Sequence, residues 1–117
     1  MRRKAGALVP LELAICMAAA DLREQGTEEF HGYLIARQIK EHADNRLLTA
    51  YGTLYRALGR LESMGLLSSR WEDALVAAEE NRPRRRFYAL TAAGDEAVTE
   101  AARVAAEARA KKGWAPT

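Results

Sequence analysis

The stretch Thr49–Gly94 constrains the fold most, because it sets a one-sided helix directly ahead of a basic hairpin. On a wheel of 3.6 residues per turn, Leu54, Ala57, Leu58, Leu61 and Met64 share one face. Thr49, Gly52, Thr53, Arg56, Gly59, Arg60 and Ser63 share the other, with Thr49 suited to the N-cap and Gly65 to the stop. Leu66–Glu72 and Arg85–Thr91 then have the alternating, aromatic and β-branched character of two strands. The residues between them, Asp73–Arg84, read as a long polar hairpin tip. The returning arm opens with Arg82-Pro83-Arg84-Arg85-Arg86. A helix with a polar face followed by a basic hairpin is the layout of a winged helix-turn-helix, so the predicted fold is mainly α with a small β-hairpin.

The rest of the chain supplies the frame. Pro10 suits a first helical turn, where its missing N–H costs nothing, and the helix predicted from it runs to about Glu24. That helix is apolar on nearly every side as far as Ala20, the pattern of a helix buried between layers or against a second subunit. Thr27–Phe30 reads as a loop. A second helix is expected from His31 to His42, with Leu34, Ile35 and Ile39 as its buried stripe. Thr91 can cap a last helix to about Lys112, with Asp95 and Glu96 in its first turn and Lys111 and Lys112 in its last, an order that suits the helix dipole. The expected division is a winged domain over residues 1–91 and a C-terminal dimerisation helix with its tail over 92–117.

Bulk properties bound the function. A chain of 117 residues with a formal charge of +2 makes one domain and no global polycation. The basicity is local: Arg82–Arg86 holds four arginines and no acid. Such a patch, more than net charge, indicates a phosphate-bearing partner. Cys16 is the sole cysteine, which excludes an intrachain disulfide and makes a reducing, cytoplasmic setting the expectation; within Leu13–Ala20 it reads as a buried, inert thiol. Met1-Arg2-Arg3-Lys4 imitates a secretory leader, but Pro10 and Glu12 interrupt the apolar run behind it. No segment approaches the ~18 apolar residues of a membrane span, so no membrane partner is expected.

A helix that enters the major groove needs an apolar side for its own core and a slim polar side for base edges. The third helix has both. Gly52 and Gly59 each cost about 1 kcal/mol relative to alanine, which a helix accepts for a packing or close-approach reason. Thr49, Thr53, Tyr55 and Arg56 would supply hydrogen bonds from its N-terminal half. Alternation puts Arg84 and Arg86 on one side of the strand and Arg85 on the other. The competing reading is a surface helix and charge run that are merely solvated, or a winged-helix module that docks a protein instead of DNA.

The string Tyr51-Gly-Thr-Leu-Tyr-Arg-Ala-Leu-Gly-Arg-Leu-Glu-Ser-Met-Gly-Leu-Leu67 strongly resembles the recognition-helix signature of PadR-type transcriptional regulators. His31-Gly32-Tyr33 is similar to the opening of that family's second helix. Arg84-Arg85-Arg86-Phe87-Tyr88-Ala89-Leu90-Thr91-Ala92-Ala93-Gly94 is similar to its second wing strand running into the last helix. Length and the single C-terminal helix resemble the short-type members. The stretch Arg23–Phe30 and the tip Ala74–Asn81 depart by being long, the latter partly acidic. The resemblance implies a homodimeric repressor that binds a palindromic operator and leaves it on sensing a signal. It extends the candidate DNA-contacting set to His31, Tyr33, Tyr51 and Arg60.

Dimers are expected because one recognition helix covers too few base pairs. Ala97, Val98, Ala101, Val104, Ala105 and Ala108 form a narrow small-residue stripe on the last helix, with Leu11 and Ile15 of the first helix as further interface candidates. A small-molecule effector is the candidate signal, in a cavity lined by Leu11, Ile15, Val98 and Ala101; thiol sensing by Cys16 is the rival. Trp71 reads as packing at the wing base, and Trp114 as tail, interface or ligand wall. No cofactor or metal is expected, since His31 and His42 lack ligand partners at metal spacing. With no phosphate-cradling glycine loop or nucleophile elbow either, the chain does not read as an enzyme.

Overall fold

The computed structural model describes residues 8–42 and 51–114, within which five helices and one two-stranded hairpin occur in the order α1 (Pro10–Glu24), α2 (Gly32–His42), α3 (Tyr51–Ser63), β1 (Leu67–Trp71), α4 (Ala74–Glu79), β2 (Arg86–Leu90) and α5 (Ala92–Trp114). The expected N-cap, Thr49, lies outside the described residues. No described helix is long and apolar enough to cross a membrane.

Helix α1 starts at Pro10, and the Val9 N–H donates to Glu12 Oε1 at 3.2 Å, closing the first turn. Its near-continuous apolar surface is explained by its neighbours, since it packs against α2, α3, α5 and β2. Ile15, Cys16, Ala18, Ala19 and Leu22 are buried there, while Met17 is left exposed. Ile35, Ala36 and Ile39 of α2 and Leu54, Ala57, Leu58 and Leu61 of α3 complete one core. Leu34, expected in that stripe, is only partly buried. Met64 departs from the predicted face and is exposed, because α3 stops at Ser63 and the wheel no longer governs it.

The hairpin is antiparallel, with Leu67 opposite Leu90, Ser69 opposite Tyr88 and Trp71 opposite Arg86. Two parts of it correct the sequence reading. Phe30 does not sit in a loop: its N–H donates to the Tyr88 carbonyl at 2.9 Å and its carbonyl accepts from the Tyr88 N–H at 2.8 Å. The tip is likewise not an irregular polar stretch, since Ala74–Glu79 forms α4, capped by the Asp73 side chain accepting from the Leu75 N–H at 2.8 Å. Alanine-rich sequence behind an aspartate cap is favourable for a helical turn; Ala77 is buried, and its carbonyl accepts from the Arg82 N–H at 3.1 Å.

Helix α5 leaves the hairpin at Thr91, whose hydroxyl accepts from the Gly94 N–H at 3.0 Å and donates to the Gly65 carbonyl at 2.6 Å. Arg23 pairs with Asp95 at 2.6 Å and ties α5 to α1. Only the first turns of α5 lie against the body; residues 102–111 are all exposed. Gly94 is needed where α5 crosses the strand ends, for a β-carbon there would strike the Leu66 carbonyl oxygen and the Leu90 side chain. A backbone oxygen cannot swing aside. Gly94→Ala is therefore expected to lower stability by about 1–3 kcal/mol, whereas Ala93→Ser on the exposed side stays within about 0.5 kcal/mol, as read from urea unfolding midpoints.

Candidate nucleic-acid interface

The outer face of α3 is open. Gly52 and Gly59 have nothing within 4 Å of where a β-carbon would stand, so neither glycine serves packing inside the chain. Between them, Arg56 is exposed, and its guanidinium donates to Thr53 Oγ1 at 3.4 Å. Arg60 behaves differently from its neighbours on the wheel. Its Nε donates at 2.6 Å to Glu12, a carboxylate with no exposed surface in α1, so this candidate reader is engaged in holding α3 to α1. Tyr51 opens α3.

Tyr55 projects from α3 over the start of α2, where Gly32 leaves room for it; a β-carbon at Gly32 would overlap the Tyr55 hydroxyl. That close approach explains a glycine at the first position of α2. His31 precedes it, with Nδ1 accepting from the Leu34 N–H at 3.3 Å. The ring stacks on Tyr33 at 6.3 Å and meets Phe87 edge-on at 6.1 Å. Burial, then the charges of Arg85 and Arg82, hold the His31 pKa below its ordinary 6.5, so the imidazole is neutral at physiological pH and able to accept that bond.

The wing closes the other side. Arg82 forks onto Glu72 at 2.5 and 2.7 Å and also reaches Glu80, fixing the returning arm. Arg84 Nε donates to the Glu72 carbonyl at 2.9 Å. The guanidinium carbons of Arg84 and Arg86 lie 5.7 and 5.0 Å from the Trp71 ring centre. Trp71 is 52% exposed, which corrects its reading as a packed wing-base residue: alternation does place it on the inner face, but at the strand's far end, beyond the helical layer. A cleft of about 460 Å³ results, lined by His31, Tyr33, Tyr55, Trp71 and the arm from Arg82 to Arg86. Among the described residues the Arg56 and Arg85 guanidinium groups are in no ion pair, although the Arg85 backbone N–H donates to Glu72 Oε1 at 3.3 Å.

The structure thus brings His31, Tyr33, Tyr55, Arg84, Arg85 and Arg86 to one cleft, with Gly52, Thr53 and Arg56 on the adjoining helix face. Trp71, Glu72 and Arg82 were missed from sequence; the only signal was an arginine-rich arm facing an acid-tryptophan pair across the hairpin. On the dimer candidates, Leu11, Ala97, Val98 and Ala101 are half-buried, Val104, Ala105 and Ala108 exposed, and Ile15 has no exposed surface within the single chain. Ile15 therefore leaves nothing for a second subunit to cover. Burial pushes the Cys16 thiol up to about 11, with Glu12 adding to the effect.

Fold and site define a winged helix-turn-helix of the transcription-regulator class. The sequence pattern of the Transcriptional regulator PadR-like family matches residues 22–100, and the chain belongs to that family, one of regulators and not enzymes. Similar solved structures include a PadR family regulator from Clostridium difficile, 25% identical with a TM-score of 0.64 over 88% of this chain and 91% of that one. A PadR-like transcription factor from Bacteroides fragilis is 27% identical, also at 0.64, over 86% of each chain. Bacillus subtilis PadR in complex with operator DNA shares the fold at 22% identity and a TM-score of 0.57, over 80% of this chain and 47% of that chain. No curated protein sequence matches the chain.

The Glu72 carboxyl is held down to about 2, first by the Arg82 hydrogen bonds and further by the Arg85 backbone N–H and both arginine charges. A folded-state pKa below the unfolded value contributes stability that is complete above about 4.5 and is lost as pH falls toward 2. Glu72→Gln is expected to flatten this part of the acid dependence, so that wild type loses more stability than the variant between pH 5.5 and pH 3 in urea titrations.

Proposed function

We propose that this PadR-like regulator binds duplex DNA as a homodimer, with α3 in the major groove and the wing arginines on the flanking backbone, and represses transcription from a palindromic operator until a signal releases it. The observation that carries the reading is the bare, glycine-flanked face of α3 beside an arginine-lined cleft. Gly52 and Gly59 each cost about 1 kcal/mol in a helix and return no internal packing, which favours close approach of an outside surface. Thr53, Tyr55 and Arg56 on the exposed side of α3 are the proposed base-edge contacts; Thr49, outside the described residues, and Tyr51 remain candidates from the sequence alone. His31, Tyr33, Arg84, Arg85 and Arg86 are the proposed contacts to backbone phosphates. The operator-bound relative from Bacillus subtilis supports the same partner. Such a regulator works in the cytoplasm.

Helix α5 supports the dimer. Residues 102–111 of α5 are all exposed, and Val104 is 51% exposed. Single helices this exposed draw their stability from a partner. Ala101, Val104, Ala105 and Ala108 permit close approach, with Leu11, Ala97 and Val98 continuing the seam toward α1. Half-sites about one helical turn apart, roughly 34 Å, would match the two reading helices. An effector then acts by binding two subunit arrangements unequally. The high thiol pKa of Cys16 and its complete burial disfavour thiol sensing and favour a small ligand.

Two measurements test the reading. Arg56→Ala is expected to cost about 1–3 kcal/mol on a selected operator and relax base preference, whereas Arg85→Ala weakens all sequences alike and lowers the log–log salt slope by about 1. Unchanged affinity and selectivity in Arg56→Ala would remove α3 as the reader. Ala105→Glu buries an unpaired charge in the seam and is expected to cost about 3–5 kcal/mol of association; sedimentation equilibrium showing an unaltered dimer would place the interface elsewhere.

A further inference from the structure

We infer that Trp71 is a positioning residue: its exposed indole holds Arg84 and Arg86 as a preset pair that receives a backbone phosphate of bound duplex DNA. This rests on the DNA-binding reading above and deepens it by assigning the wing's phosphate site and the aromatic group that builds it.

The hairpin carries two stacks of arginine on an aromatic ring, one on each face, and they differ in one respect. On the outer face Arg70 lies 5.1 Å from the Phe87 ring centre, and its N–H edge is already taken by Glu29 in a fork at 2.6 and 2.7 Å. On the inner face Arg84 and Arg86 lie over Trp71 at 5.7 and 5.0 Å, and no carboxylate closes on them in the same way. Arg84 uses only Nε, on the Glu72 carbonyl. Arg86 has Glu62 at 3.6 Å, longer than a hydrogen bond. The outer stack is closed by a two-pronged ion pair, whereas the inner one carries only the looser Glu62 contact and a Tyr88 hydrogen bond on Arg86, and Arg84 faces the cleft without a carboxylate.

An arginine laid flat on indole keeps its in-plane N–H donors, which is the geometry a phosphate oxygen pair accepts. The ring also removes rotamer freedom before binding, so less entropy is lost when the anion arrives. Trp71 itself is half-exposed and outside the core, so its large apolar surface has no packing role to account for it. Tyr33 and Tyr55 also line the cleft.

The test uses the full chain and a short fluorescent duplex, with affinity measured by anisotropy over a range of KCl concentrations for wild type, Trp71→Leu, Trp71→Phe and each of these with Arg84→Ala and Arg86→Ala. Trp71→Leu is expected to weaken binding roughly tenfold and to lower the log–log salt slope by about one to two. Its melting temperature should stay that of wild type. Trp71→Phe should recover most of both, and neither Trp71 change should matter once both arginines are gone. An unchanged salt slope in Trp71→Leu would overturn the inference while leaving DNA binding standing. An equal loss without the arginines would overturn it too, by making the indole itself the contact. If wild type bound no duplex, the DNA reading would fall and the phosphate site with it. Should Trp71→Leu unfold the wing, fluorescence of Trp71 in a Trp114→Phe background decides: a change on adding DNA that disappears with Arg84→Ala and Arg86→Ala supports the pair, and a silent indole overturns it.

Discussion

Two backbone hydrogen bonds between Phe30 and Tyr88 hold the molecule's working parts in register. A two-stranded hairpin alone is marginal in water. Here the chain just before α2 lies beside β2 as a third, one-residue strand, and Phe30 buries its ring against Tyr88 at a centroid distance of 6.1 Å. Because His31 is the next residue, the beginning of α2 is fixed against Phe87 and the wing. From the other side, Glu62 at the end of α3 accepts the Ser69 hydroxyl at 2.5 Å. The hairpin is thereby clamped between α2 and α3, and the cleft between helix and wing follows from that clamping.

The second fixed point is the carboxylate of Glu12. It has no exposed surface, yet it receives the Arg60 guanidinium and the Val9 N–H. A buried ion pair is weak evidence of net stability, since desolvation opposes the Coulomb gain; breaking one partner away is what costs most. Its consequence is positional: α3 cannot slide or rotate on α1 without stranding a buried charge. Arg60 is thus better understood as the residue that aims the outer face of α3, with Arg56 one turn earlier left to meet a partner. The same carboxylate helps keep the neighbouring Cys16 protonated.

Much of this was legible in the sequence, for a local reason. Periodicity reports which side of a helix is buried, so Leu54, Ala57, Leu58 and Leu61 could be assigned before any contact was known, as could Pro10, Thr91 and the two strands. What stayed hidden depends on contacts far apart in the chain. Glu12 and Arg60 are 48 residues apart, so the wheel showed Arg60 only as one more polar residue. Phe30 has no alternating neighbours to announce a one-residue strand. Trp71 obeyed its alternation, but alternation does not say where the helical layer under a strand ends. Helix α4 hides in the overall polar character of the tip, since its only local signals are the Asp73 cap and the short alanine run behind it.

The local charge of the wing follows from the same geometry. Five residues with four arginines would repel one another and splay if left alone. Instead, Glu72 takes Arg82 in a two-pronged pair, with Glu80 joining it, and its carbonyl steadies Arg84. Acids next to the basic run, which on a linear reading only dilute it, are what hold the arm's base rigid. Acid is concentrated where the arm is anchored: toward the cleft Arg86 meets Glu62 only at 3.6 Å, and Arg85 gives Glu72 its backbone N–H while its guanidinium is in no ion pair among the described residues. A chain of net charge +2 can in this way present a strongly positive edge to one partner. Loss of Glu72 would add a positive charge to the wing overall and still be expected to weaken phosphate binding, because it would free Arg82 and unseat its neighbours. Position, and not total charge, sets the strength of the site.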